Sequence, residues 1–159
     1  MNHLGIEVSV KNVPELDPGF LPLGKFYTAF LQDAKQPLDI AVERSNGQVA
    51  VYRTRIHGTP DKAGADRYYV ERIIKTMLWL YGGYKVYLNG SEELCGAMRS
   101  MYCAGGQQAF DFDYMANVFE HPFEVVRCDR VPQEKGDPKA IGRHLDGCRI
   151  GFDAGGSDR

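Results

Sequence analysis

What this sequence has little of narrows it first. It holds 4 cysteines, and Cys95, Cys103, Cys128 and Cys148 stand far apart with no Cys-x-x-Cys pair. That spacing argues against a zinc site and reads as free thiols of a cytoplasmic protein. His3, His57, His121 and His144 are equally scattered. Neither charge sign dominates: 19 Lys and Arg face 21 Asp and Glu, for a net charge of −2. The basic field that would recruit nucleic acid or an anionic membrane is therefore lacking. No apolar run approaches the roughly 20 residues of a membrane span. The start, Met1-Asn2-His3-Leu4, lacks the basic and apolar regions of a secretory signal. Internal repeats and low-complexity tracts are absent as well.

What is present fits a globular domain. The 159 residues, 43% of them hydrophobic, are enough to bury one core. Gly5 to Val10 alternates and predicts a short strand. Pro14, Pro18, Gly19, Pro22 and Gly24 then break the chain, and Phe20 to Leu31 carries a heavy apolar load. Within it, Phe26, Tyr27, Phe30 and Leu31 keep helical spacing, predicting a short helix over 25–34 that packs as a clasp. The clearest local signal is residues 38–56. Two β-rich runs flank Asn46-Gly47, and both residues tolerate the positive φ of a type I′ hairpin turn. Arg53 and Arg55 share one strand face; such a pair can grip an anion, but a solvated face is the simpler reading.

Residues 65–81 predict a long helix, with Val70, Ile73, Ile74, Met77, Leu78 and Tyr81 inward. Glu71 and Lys75 would then pair on its outer side, and Trp79, off the stripe, either widens the buried face, the reading preferred, or is a contact residue. Gly82-Gly83 ends the helix. A strand at 84–88 turns through Asn89-Gly90 into a helix over 91–103, with Ser91 as its N-cap and Glu92 and Glu93 in its first turn. A strand–turn–helix joint can hold an anion, but two glutamates already offset this helix dipole. Ala104-Gly105-Gly106 breaks the chain before a helix over 111–119, where Asp111 and Asp113 read as first-turn acids rather than metal ligands. His121-Pro122 precedes a strand at 123–128. The polar stretch 129–147, interrupted by Pro132, Gly136, Pro138, Gly142 and Gly147, reads as a linker.

The last stretch carries the only motif with chemistry in it. Ile150 and Phe152 alternate as in a buried strand, Asp153 ends it, and Gly155-Gly156-Ser157 follow. Paired glycines let backbone N–H groups converge on a phosphate, and an acid at the strand end can hold hydrated Mg²⁺. Phe152-Asp153-Ala154-Gly155-Gly156-Ser157 resembles the first phosphate motif of the actin, Hsp70 and sugar-kinase ATPase superfamily, in the flavour of the ROK sugar kinases. The resemblance spans about ten residues. It implies a water-mediated Mg²⁺ role for Asp153 and β/γ-phosphate contacts from Gly155, Gly156 and Ser157. The family's second phosphate motif, adenosine loop and catalytic aspartate would all lie beyond Arg159, and the Cys-rich zinc motif of many ROK proteins is absent.

The fold expected is α/β or α+β: a mixed sheet with an antiparallel hairpin and packed helices, followed by the first strand of a ribonuclease-H-like ATPase domain. Residues 1–128 form an appended domain, 129–147 a linker, and 148–159 the first strand and phosphate loop of a truncated ATPase domain. The chain is expected to be the N-terminal part of a ROK-type, sugar-kinase-like protein, inactive alone as a phosphotransferase. Its parent would use ATP and Mg²⁺ and meet a nucleotide and a sugar-like molecule. No nucleic-acid or membrane partner is expected, and a homo-oligomer is allowed for. The alternative is a non-catalytic module recognising a partner or small metabolite, because no nucleophile–base pair or metal cluster is assignable in 1–128.

Overall fold

The computed structural model describes residues 1–136, 147, 148, 150 and 151. It is a mixed α/β structure whose four-stranded sheet carries its helices on one face. The N-terminus is a two-strand hairpin, β1 (Asn2–His3) and β2 (Ile6–Glu7). Its tip holds Leu4 and Gly5 at φ 52° and 79°. Irregular chain then leads to α1 (Leu23–Asp33), which buries Phe26 and Phe30. The clasp is narrower than the apolar load of 20–31 implies: Phe20 stays 51% exposed.

Next come β3 (Gln36–Arg44) and β4 (Gln48–Ile56), paired antiparallel from Gln36↔Ile56 to Arg44↔Gln48. The turn lies where Asn46-Gly47 places it, and both have positive φ (62° and 63°). Because Arg44 pairs with Gln48, the loop has one residue more than a two-residue turn, and the Gln48 N–H closes it onto the Ser45 carbonyl. A 3₁₀ turn, Pro60–Lys62, feeds α2 (Ala63–Tyr81). α2 crosses over β3 to reach β5 (Lys85–Leu88), which lies antiparallel to β3. Then α3 (Glu92–Met101) and α4 (Ala109–Phe119) lead to β6 (Glu124–Arg127), parallel to β5. The sheet order is β4-β3-β5-β6.

Strand alternation divides the sheet into two unlike faces. Leu38, Ile40 and Val42 of β3 and Val86 and Leu88 of β5, all fully buried, meet Phe26 and Phe30 of α1, Val70 and Ile74 of α2 and Met98 of α3. Among the described residues the opposite face has a small cluster, Ala41, Val49 and Val131, with Val51, Tyr87 and Cys128 against it. Val131 belongs to the stretch read as a linker, and so does Lys135. Val49 N–H donates to the Lys135 carbonyl (2.8 Å), and Lys135 N–H donates to the Val49 carbonyl (3.0 Å). The described start of that stretch is therefore fastened to the β4 edge. Such an edge left unpaired is a template for other chains.

Three side chains on the helices depart from the periodicity reading. Glu71 is buried (3% exposed) instead of facing outward, and it pairs with Arg72 instead of Lys75. α2 is covered on a second side by α3, so its buried arc exceeds the stripe that a surface helix needs. Trp79, expected in the core, is 51% exposed, and Tyr81 is 48% exposed. Trp79 lies off the buried arc, and Tyr81 is the last residue of α2, beyond the turns that the sheet and α3 cover.

Candidate binding surface

Asp153, Gly155, Gly156 and Ser157, the expected phosphate and Mg²⁺ residues, lie outside the described residues. Their described neighbours Cys148 and Ile150 are outside the sheet, and Ile150 is 94% exposed, unlike the buried strand read there. A strand buries its side chains only against a partner, and no described strand pairs with these residues.

Within the domain the buried acids have structural tasks. Asp66, in the first turn of α2, accepts the backbone N–H of His57 at Oδ1 (2.9 Å) and that of Gly58 at Oδ2 (2.8 Å). His57 Nδ1 lies 3.3 Å from the same Oδ1, and its ring meets Phe30 edge-on. A carboxylate that accepts two backbone donors fixes the loop from β4 into α2. Among the described residues no hydroxyl or thiol hydrogen-bonds His57, so the pair has no nucleophile to activate. A cleft of ≈ 210 Å³ opens beside this loop, bordered by Gln36, Thr59, Arg67, Ser91 and Glu93. Across it, Ser91 caps α3 by accepting the Leu94 N–H (3.2 Å). Asn89 ties the same joint to β3, accepting the Asp39 N–H at 2.8 Å. The Asn89-Gly90-Ser91 turn is thus an ordinary strand-to-helix joint.

Asp111 is the acid that leads to a surface. It is 1% exposed at the start of α4 and accepts the Trp79 indole N–H at Oδ1 (3.0 Å). Lys75 Nζ stands 2.9 Å from Oδ2 as an ion pair whose oblique approach leaves Oδ2 without a well-aligned donor. The same Nζ donates to Gln108 Oε1 at 2.9 Å. A buried carboxylate neutralised by lysine thus holds a tryptophan that is itself half in water.

Above it three rings lie nearly parallel. Trp79 and Tyr114 have centroids 5.4 Å apart at 17°, Phe110 and Tyr114 5.7 Å apart at 17°, and Trp79 and Phe110 6.4 Å apart at 5°. Offset stacking suits the ring quadrupoles. Phe110 is 68% and Tyr114 44% exposed, and Val118, one turn further along α4, is exposed too. A contiguous apolar patch held rigid in solvent is what interaction sites present. Asp111, engaged on its inner side, offers no free acid–base group there.

Sequence periodicity did not locate this surface because it preferred the core for Trp79 over a contact role. The available signal was that Trp79 falls off the α2 stripe. Arg53 and Arg55 do share the open sheet face and are exposed, and no carboxylate among the described residues pairs with either. Among the described residues no group of three or more His, Cys, Asp or Glu could hold a metal, and no helix is long and apolar enough to cross a membrane. No family model, curated protein or solved structure matches the chain.

Proposed function

We propose that residues 1–136 are a non-catalytic binding domain, carried on the N-terminal side of a ROK-type, ATP-dependent phosphotransferase segment that opens at Phe152–Ser157. The observation that carries the binding role is the rigid Trp79–Phe110–Tyr114 surface, kept in solvent by a buried Asp111. Apolar rings left in water have a free-energy cost, and binding a partner or metabolite removes it. The domain also engages its buried acids internally: Asp66 on the β4–α2 loop, Glu71 on Arg72 and Asp111 on Lys75 and Trp79. That arrangement suits a scaffold rather than acid–base chemistry.

The ATP-dependent part rests on the resemblance of the Asp153-Gly155-Gly156-Ser157 motif. Asp153 would hold hydrated Mg²⁺, and the glycine backbone would approach the β/γ-phosphates, in a cytoplasmic parent acting on a sugar-like hydroxyl. Calorimetric titration with Mg-ATP tests it. The 159-residue chain is expected to show no saturable binding. A full-length parent is expected to turn over ATP and to lose that turnover in Asp153→Ala and, more completely, in Gly156→Val, whose side chain blocks the phosphates. Unchanged turnover in both variants would remove the motif assignment. Tight Mg-ATP binding by residues 1–159 that Asp153→Ala abolishes would overturn the division of labour.

A further inference from the structure

A second cleft, ≈ 270 Å³, lies along α2, shares Arg67 with the cleft beside Asp66, and has a different chemistry from the aromatic surface. One wall is a single helical face of α2, with Arg67, Tyr68, Glu71 and Arg72; the rim includes Leu4 from the β1–β2 tip, and Met101 and Gln107 from the end of α3 and the loop after it. The acid in it is already neutralised. Arg72 donates Nε and Nη2 to the two oxygens of the buried Glu71 carboxylate, the latter at 2.6 Å. That leaves Arg72 Nη1 with no acceptor among the described residues. Arg67 has only a 3.5 Å approach to the largely exposed Glu93. Two guanidinium groups and one carboxylate therefore border the cleft, so its own lining has one positive charge in excess, and Arg72 Nη1 is a free, directional N–H donor.

The rest of the wall is apolar or uncharged. Arg72 sits 6.0 Å from the Tyr68 ring centroid, Leu4 lies over Gly64, and Met101 closes one side. Leu4 reaches this position in a left-handed backbone conformation that a side-chain-bearing residue rarely adopts. The tip is held there by Lys62 Nζ on the Gly5 carbonyl and by Asn2 Oδ1 accepting the Gly5 N–H (3.1 Å). We infer that this cleft binds a small organic monocarboxylate, its charge held by Arg67 and Arg72 and its apolar part against Tyr68, Leu4 and Met101. A dianion such as phosphate is disfavoured because the Glu71 carboxylate stands behind the guanidinium groups. The volume is near the low end for ligand pockets, which limits the ligand to a compact molecule.

Benzoate is the probe, with benzamide as its uncharged isostere and inorganic phosphate as the dianion control, each titrated into the 159-residue chain and followed by amide NMR shifts. Benzoate is expected to give saturable shifts at Leu4, Gly64, Met101 and Gln107, with benzamide and phosphate far weaker. Arg67→Gln, on a partly exposed side chain, is expected to weaken benzoate about tenfold or more, the loss of one charge-assisted hydrogen bond. Its unchanged shifts elsewhere would report an intact fold. Equal binding of benzamide, unaltered affinity in Arg67→Gln, shifts centred on Arg53 and Arg55, or no saturable shift with benzoate would each overturn the site. None of these outcomes depends on the Trp79 surface or on ATP.

Discussion

At the scale of single residues, two buried acids behave as helical spacing does not foresee. Glu71 occupies the outer-pair position relative to Lys75, yet it is enclosed with Arg72. Glu71→Ala is therefore expected to cost about 2–3 kcal/mol, below the ~3–5 of a fully buried pair because Arg72 still reaches water. A cost of only a few tenths in denaturant melts would return Glu71 to the surface. The sequence has 1 tryptophan, so Trp79 reports on Asp111 without interference. Asp111→Ala is expected to destabilise by about 1–3 kcal/mol, since it strands the indole N–H and the Lys75 ammonium. The same change should shift Trp79 emission and reduce near-ultraviolet dichroism as the ring stack loosens. Unaltered spectra would show that the rings hold one another without the carboxylate.

At the scale of elements, α2 and the β3–β4 hairpin carry most of the organisation. Ile74, fully buried, faces the sheet at the middle of α2. Ile74→Ala is expected to cost about 2–5 kcal/mol, from lost transfer energy plus the cavity left behind. The hairpin depends on the positive φ of Asn46 and Gly47. Gly47→Val should cost roughly 1–3 kcal/mol, the range for a residue forced into strained backbone geometry. Gly83 is constrained differently. Its φ is 150°, and a Cβ there would stand 2.7 Å from the Glu43 carbonyl oxygen. Backbone cannot yield as a flexible side chain can, so Gly83→Ala should destabilise more than Gly47→Ala. The reverse order in thermal melts would place the closer backbone approach at the hairpin.

At the scale of the molecule, one core joins, among the described residues, the N-terminal hairpin, helices α1 to α4 and one sheet face, so the groups inside it titrate against the whole fold. Burial pushes the Tyr69 hydroxyl from its ordinary 10.0 up to about 12, against the lowering effect of its bond to Thr54. Burial raises Tyr102 and Tyr87 as well. In each case the fold favours the neutral phenol. The associated stability is full below pH 10, falls as pH rises toward the folded value, and levels beyond it. Denaturant melts between about pH 9 and 12 should show this fall, and Tyr69→Phe should flatten it. A stability independent of pH across that window would mean that these hydroxyls ionise equally easily in the folded and unfolded chain.

What the sequence determined by itself is mostly local. Asn46-Gly47 between β-rich runs located the hairpin, because few other residues accept positive φ in succession. The stripe Val70, Ile73, Ile74, Met77 and Leu78 marked the inner face of α2, and Ser91 marked the start of α3 through its own side-chain bond. The mixed α/β class followed from strands alternating with helices. Order and enclosure depend on contacts far apart in the chain, and only the tertiary structure decided them. β5 lies against β3 because α2 crosses over the hairpin, which no local pattern encodes. Glu71 is inside because α3 closes a second side of α2. Trp79 is outside because Asp111, 32 residues further on, pins its indole at the rim. The candidate surface was illegible for the same reason: hydrophobicity says that an aromatic ring gains by leaving water, and only the packing of neighbouring elements says which rings are left in it.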